Sequence, residues 1–258
     1  MTYQAVCFFD LDGTLLNAEH QVDVTVQSAI KQLKENKVLP IIATGRGLTQ
    51  LDTIREQSGI HSVVALNGAY IEVNGQMIYE EIIPTPVVER FADFSNQLHK
   101  GVSYLNDRKV WVDKVSPYIE TSYAAFNIAP PAEMPGGFHN EKVHMLLAMN
   151  DELELDNYYL DEFPELNFFR NSIRTIDVVN QGTDKGTGVA KILDYLGHQD
   201  LPTYAFGDGA NDLALLNAVD YGVAMGNGID ELKEIATFVT DKNTEGGLIK
   251  AFKHFDLI

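Results

Sequence analysis

The sequence predicts an α/β fold, a core built on a parallel sheet and interrupted by a separate α+β domain. Three observations carry this. Short apolar runs of strand length alternate with segments of helical periodicity toward both ends of the chain. These runs end in clusters of Gly, Asp, Asn or Thr, and ligands bind at that end of the strands in open α/β sheets. In the middle the alternation gives way to paired strands with helices, as in an α+β unit. The expected division is residues 1–83 with 180–258 as the core, and 84–179 as the insertion.

The apolar run Ala5 to Phe9 reads as a buried strand that ends in Asp10-Leu11-Asp12-Gly13-Thr14. Val22, Val26, Ala29, Ile30 and Leu33 recur at helical spacing, up to the polar Lys34-Glu35-Asn36-Lys37. Val38 to Ala43 is a second strand running into Thr44-Gly45-Arg46-Gly47, with Pro40 expected at its beginning because proline lacks the N–H of a ladder. A helix from about Leu48 to Gln57 stops near Gly59, and Ser62 to Leu66 is a third strand ending in Asn67-Gly68. Strand alternating with helix implies parallel pairing through right-handed crossovers. Tyr70 to Val73 and Gln76 to Ile83 flank Asn74-Gly75, a type I′ hairpin signal. Pro84-Thr85-Pro86 then breaks the chain as a linker would.

The insertion reads as a helix (Val87 to His99), a hairpin (Val102 to Asp113, turning near Asn106-Asp107) and a helix (Pro117 to Phe126). A Pro/Gly-rich loop (130–137), a strand (Lys142 to Met149), an acidic helix (Asp151 to Phe163) and a strand pair (166–179) follow. Gln181-Gly182-Thr183 is the return linker. Lys185-Gly186-Thr187-Gly188 then opens a helix that continues from Val189 to Leu196. Thr203 to Phe206 is a strand ending in Gly207-Asp208-Gly209-Ala210-Asn211-Asp212, with a helix from Leu213 to Ala218. Tyr221 to Met225 is another, ending in Gly226-Asn227-Gly228.

Composition narrows the function. The chain has 258 residues, 45% of them hydrophobic, enough for a substantial core. A formal net charge of -18 argues against nucleic acid and anionic membrane surfaces as partners. An anionic substrate would need a local cation to enter a site on so acidic a protein. The single cysteine, Cys7, lies in the first strand, and no apolar run reaches membrane-spanning length. Both fit a reducing, cytoplasmic setting. There is no P-loop, and Gly207 with Gly209 lacks the third glycine of a dinucleotide fingerprint. His61, His99, His139 and His144 show no metal-ligand spacing. Arg170 and Arg174 in the insertion suit a surface, with a grip on a second anionic group as the sharper alternative.

Four carboxylates, Asp10, Asp12, Asp208 and Asp212, should meet at one edge of the sheet, beside Thr44, Gly45, Lys185 and Asn211. Packed carboxylates repel one another unless a cation compensates, and Mg²⁺, a hard ion taking oxygen ligands, is the expected partner. Thr44, Lys185 and the turn N–H groups form a natural phosphate cradle. A carboxylate nucleophile, an acid/base, a metal and a cationic clamp together make phosphoryl-transfer machinery. Taken singly, each has a plainer explanation: Thr44 as a helix cap, Lys185 as a surface lysine, Asp208-Gly209 and Asn227 as turn residues.

Asp10-Leu11-Asp12-Gly13-Thr14, Thr44-Gly45-Arg46, Lys185-Gly186 and Gly207-Asp208-Gly209-Ala210-Asn211-Asp212 resemble the four motifs of the haloacid dehalogenase (HAD) superfamily. Leu66-Asn67-Gly68-Ala69, Ala224-Met225-Gly226-Asn227 and the position of the insertion resemble its Cof-type phosphatases, which carry a cap of the IIB kind. The resemblance implies a Rossmann-like, HAD-like core with an α+β cap that closes over the pocket and reads the leaving group. It implies Asp10 as the nucleophile that becomes phospho-aspartate, and Asp12 as proton donor to the leaving alcohol and then acceptor from water. Thr44 and Lys185 would hold the phosphoryl group, with Leu11, Gly45, Arg46, Asn67 and Asn211 completing the substrate-binding set. Mg²⁺ would sit on Asp10, the backbone carbonyl of Asp12 and Asp208, with Asp212 just outside. The implied activity is hydrolysis of a small phosphorylated metabolite, a sugar phosphate or phosphorylated cofactor. A phosphomutase is the alternative on the same core, and a non-enzymatic phospho-acceptor switch the alternative of another class. A dehalogenase is disfavoured because Asp12 serves a leaving alcohol and not a leaving halide. Oligomeric state has no signal in the sequence.

Overall fold

A computed structural model describes residues 3–125, 127–170, 172–197 and 200–258. The chain divides into two compact units. One holds residues up to Arg46, Gln50–Tyr79 and Asp184–Ile258; the other holds Gly47–Thr49 and Glu80–Thr183.

The first unit opens with β1 (Ala5–Phe9), α1 (Val24–Glu35), β2 (Val38–Ala43), α2 (Asp52–Ser58) and β3 (Ser62–Ala65). The hairpin β4 (Tyr70–Val73) and β5 (Gln76–Glu80) follows. Asn74 and Gly75 have φ of +50° and +79°, as a type I′ turn requires. The predicted helix from Leu48 is broken: Leu48–Gln50 is a 3₁₀ turn, and α2 starts at Asp52.

The second unit contains α3 (Thr85–Gln97), β6 (Gly101–Leu105), β7 (Val110–Val112), α4 (Pro117–Ala124), β8 (Ala132–Glu133) and β9 (Met145–Met149). It ends with α5 (Asp156–Glu162), β10 (Leu166–Arg170) and β11 (Thr175–Asn180). Phe126, the predicted end of the fourth helix, lies outside the described residues. Strand order is β10-β11-β9-β6-β7-β8, antiparallel except for β7 with β8. Phe91, Trp111, Tyr159 and Phe163 form this unit's own buried core. The acidic helix is shorter than predicted, because Leu153–Leu155 is a separate 3₁₀ turn ahead of α5.

The first unit resumes with α6 (Lys185–Leu196), β12 (Thr203–Gly207), α7 (Leu213–Asn217) and β13 (Tyr221–Ala224). Four elements lie beyond those the sequence predicts: β8, inside the expected Pro/Gly-rich loop, and here α8 (Asp230–Ile235), the two-residue β14 (Phe238–Val239) and α9 (Gly247–His254). The sheet order is β14-β13-β12-β1-β2-β3-β4-β5, parallel from β14 to β3 and antiparallel from β3 to β4. β1, β2 and β12 are buried along their whole length, as expected of strands covered on both faces. Pro40 is a correction: it sits inside β2, opposite Cys7 of β1. The N–H of Thr44 donates to Val64 of β3, so by the two-residue alternation Pro40 faces the β3 side as well. The ladder with β3 begins only at Ile41, so the missing N–H costs no bond there.

From β1 the chain builds outward to β2 and β3 on one side and to β12 and β13 on the other. β1 is thus the topological switch point, where ligand crevices open in such sheets. Phe9 pairs with Ile42 and with Phe206, so the tips carrying Asp10, Thr44 and Asp208 end level.

Candidate active site

Asp10 follows the last residue of β1, and its N–H is held by the carbonyl of Phe206 at 2.9 Å. The residue is 7% exposed. Lys185, fully buried, donates to Asp10 Oδ1 at 2.6 Å and to Asp212 Oδ1 at 2.7 Å. The local sequence explains its placement. Asp184 caps α6, accepting from the N–H of Thr187 at 2.6 Å, so Lys185 is the first residue of the helix and points back at the strand tips.

Asp208 follows β12. Its Oδ1 accepts from Thr14 Oγ1 at 3.0 Å, and its Oδ2 lies 3.4 Å from Asn227 Nδ2. Asp212 is the most engaged of the acids, because Oδ2 also accepts the N–H groups of Asp208 and Gly209, both at 3.0 Å. One oxygen from each of Asp10, Asp208 and Asp212 lies within 4.8 Å of the others. Gly13 makes room for this: its φ is +86°, and a Cβ there would stand 2.3 Å from Asp208 Oδ2.

Two buried acids, Asp10 and Asp212, and the half-buried Asp208 share the charge of one ammonium. Burial, then the charge of Asp212, push the Asp10 carboxyl well above its usual range against the opposing pull of Lys185. Burial, then Asp212, raise Asp208 to about 6. Burial works against the Lys185 ammonium, but the charges of Asp10 and Asp212 outweigh it and keep it protonated. The site is therefore short of positive charge. Its donors are hard oxygens, so a divalent cation such as Mg²⁺ fits the residues present.

The remaining predicted residues divide into groups. Thr44 is buried, but its Oγ1 accepts the N–H of Arg46 at 3.1 Å, a turn role. Asn67 is fully buried with φ +50°; its N–H donates to the carbonyl of Thr44, and its Oδ1 accepts from Asn211 Nδ2 at 3.3 Å. These contacts join the tips of β2, β3 and β12. Gly68 closes the same loop with φ +100°, where a Cβ would meet the Asp184 carbonyl at 2.2 Å. Leu11 is buried, its carbonyl accepting from Thr14 and Leu16, and Gly45 is half-buried.

Asp12 stands apart from the acidic cluster. Its carboxylate pairs with Arg46, whose Nε donates to Oδ2 at 2.8 Å and whose Nη2 donates to Oδ1, and His20 Nδ1 lies 3.2 Å from that Oδ1. Any metal contact through the Asp12 main chain concerns the carbonyl and not this side chain. Arg46, read from sequence among the substrate-binding residues, here takes a protein carboxylate.

Sequence reasoning assigned no role to Thr14, His20 or Asn243, and read Asn227 as a turn residue. Asn227 Nδ2 donates to the carbonyl of Gly13 at 2.8 Å, and Asn243 Nδ2 to that of Leu16 at 2.7 Å, while the Asn243 N–H donates to Asn227 Oδ1 at 3.0 Å. Thr14 and Asn227 lie in motifs that could have flagged them; Asn243 carries no local signal.

A family model for haloacid dehalogenase-like hydrolases matches residues 7–252. The putative phosphatase YkrA of Bacillus subtilis (strain 168) is 30% identical over 252 residues, 97% of each chain. Among solved structures, the HAD-superfamily phosphatase BT1666 from Bacteroides thetaiotaomicron superposes with a TM-score of 0.91 at 30% identity, covering 99% of this chain and 96% of its own. The HAD subclass IIB sugar phosphatase BT4131 does so with a TM-score of 0.87 at 27% identity, covering 98% and 100%. A match of this extent rests on no single motif: the chain belongs to the haloacid dehalogenase-like hydrolases.

Proposed function

We propose that this hydrolase is a Mg²⁺-dependent phosphatase of small phosphorylated metabolites, a sugar phosphate or a phosphorylated cofactor, working through a phospho-aspartate at Asp10. The observation that carries the reading is the buried Lys185 joining Asp10 to Asp212 within the acidic cluster. A surface lysine or a plain turn has no reason to build that arrangement. The phosphatase and sugar-phosphatase relatives support the substrate class.

Lys185 takes Oδ1 of Asp10, which leaves Oδ2 as the attacking oxygen. That oxygen bonds to phosphorus as the ester P–O bond breaks, and the leaving oxygen takes a proton from Asp12. Water then attacks the phosphorus and gives its proton to the Asp12 carboxylate, and the Asp10–phosphate bond breaks to release phosphate and restore Asp10. Thr44, Asn211 and the Lys185 ammonium would supply the donors that the transferring phosphoryl group needs. Asp10, the Asp12 carbonyl and Asp208 would hold Mg²⁺; both Asp212 oxygens already accept hydrogen bonds, which suits a residue orienting the metal's waters. When bound, Mg²⁺ would neutralise the cluster and draw charge from the phosphoryl oxygens.

The test is hydrolysis of a panel of phosphomonoesters with Mg²⁺ by wild type and Asp10→Asn. Turnover by wild type and none by a folded Asp10→Asn is expected. Activity retained in Asp10→Asn would exclude the covalent route.

A further inference from the structure

Asp12 is held more firmly than its position requires. It lies in the turn after β1 with its side chain 48% exposed, where a carboxylate ordinarily samples several rotamers. Instead, two loops converge on it. Arg46, two residues beyond Thr44 at the end of β2, grips both oxygens with Nε and Nη2. A guanidinium is a planar fork that fixes the plane as well as the position of a carboxylate. His20 approaches from the loop before α1. Its φ is +56°, an uncommon conformation for a residue with a side chain, and Asn17 supports it. The Asn17 side-chain oxygen accepts from the N–H groups of Glu19 and Gln21, both at 3.0 Å, and its carbonyl accepts from the N–H of His20 at 3.0 Å.

The acceptor count makes the arrangement specific. An ionised carboxylate offers about two acceptor positions on each oxygen. Arg46 Nη2 and His20 Nδ1 occupy both positions of Oδ1, and Arg46 Nε occupies one of Oδ2. One position remains, on Oδ2.

We infer that Arg46, assisted by His20, is a positioning residue that orients Asp12 so that Oδ2 carries the proton to the leaving oxygen. This rests on the reading of Asp12 as proton donor, and it reassigns Arg46 from the substrate to that carboxylate. Proton donation needs the donor within hydrogen-bond reach of the leaving oxygen, and the fork holds it on one side of the turn. As the ester P–O bond breaks, the proton leaves Oδ2 with the bonding pair going to the departing oxygen. The negative charge that appears on Asp12 forms against the fixed charge of Arg46, which needs no reorganisation to meet it.

The experiment measures first-turnover phosphorylation of Asp10, so that hydrolysis of the phospho-enzyme does not enter. The substrates are a hexose phosphate, whose alkoxide needs a proton, and dinitrophenyl phosphate, whose phenolate leaves without one. Asp12→Asn is expected to be slow on the first and far less affected on the second. Arg46→Ala should reproduce that pattern, losing about tenfold or more on the hexose phosphate and less than about threefold on the aryl ester. Added guanidinium should restore part of the loss, and Arg46→Lys, which keeps the charge but not the fork, should fall between. His20→Asn, which keeps a donor near the position of Nδ1, should lose less than Arg46→Ala. A melting curve establishes that each variant is folded, and Arg46→Lys carries the test if Arg46→Ala is not. Equal losses on both substrates with a raised KM would place Arg46 on the substrate and overturn the inference, as would wild-type rates in Arg46→Ala. If Asp12→Asn itself shows no dependence on the leaving group, the proton-donor reading has failed and Arg46 falls with it. If Asp12→Asn shows that dependence and Arg46→Ala does not, only the Arg46 assignment is wrong.

Discussion

Lys185 is costlier to remove than a partner in a surface ion pair, because water reaches neither its ammonium nor the Asp212 carboxylate. Removing one partner of a buried pair leaves uncompensated charge, so Lys185→Met should lose about 3–5 kcal/mol of stability near neutral pH in the absence of metal. Urea unfolding in EDTA measures this, and a loss below about 1 kcal/mol would mean that the carboxylates are better solvated than their burial implies. The acids predict a pH dependence of definite sign. Asp208 is raised from 3.8 to about 6, and Asp10 well above 3.8. A raised folded-state value stabilises below the unfolded value, and that stabilisation is lost as pH rises through the folded value. The metal-free protein should therefore melt lower as pH climbs from about 4 to about 7 through these groups. Mg²⁺, which must displace those protons, should raise the melting temperature more at about pH 7.5 than at about pH 5. Equal stabilisation at both would detach the metal from this cluster.

At the scale of elements, the site depends on how strands end and helices begin. The capping box of Asp184 and Thr187 sets the start of α6 and thereby the direction of Lys185. Asp184→Ala should cost about 1 kcal/mol, typical of a lost N-cap. It should also lower kcat by displacing the ammonium; a stability loss with kcat unchanged would show that Lys185 is placed by its carboxylate partners alone. The turn after β1 is stricter. Gly13→Ala should lose at least about 1–2 kcal/mol from the left-handed backbone alone. The added methyl would also drive into Asp208, so stabilisation by Mg²⁺ in a melting assay should weaken with it. Much of this level was legible in the sequence, because fully buried parallel strands read as unbroken apolar runs and their polar ends stand out. Pro40 misled because its effect depends on which neighbour its missing N–H faces. β14 was missed because two residues are too few for a period to show, whereas α9 carries a helical spacing in Leu248, Ala251 and Phe252 that could have flagged it.

Across the whole molecule, a net charge of -18 meets an anionic substrate. The site is locally charge-deficient, yet the surrounding field repels what it binds. Raising ionic strength from about 0.01 M to 0.15 M shortens the Debye length from about 30 Å to 8 Å. KM for a phosphomonoester should fall over that range at saturating Mg²⁺. A KM that rises instead would indicate a positive approach to the pocket that the overall charge conceals.

The sequence by itself determined which residues gather at the strand tips. Asp10, Asp208, Asp212, Thr44 and Lys185 were identifiable because each lies at or just beyond the end of an element that the apolar pattern marks, and parallel pairing carries those ends to one edge; Asp12, expected with them, was not carried there. It determined the family for the same reason, through motifs in a fixed order. The tertiary structure alone decided what each carboxylate faces. Asp10 and Asp12 are two residues apart, yet one is buried against a lysine 175 positions away and the other is gripped by an arginine 34 positions away. Asn243 reaches the β1 turn across 227 positions. Chemistry along the chain follows local pattern, but the partner of a side chain follows from packing between elements distant in sequence, and no local period encodes that distance.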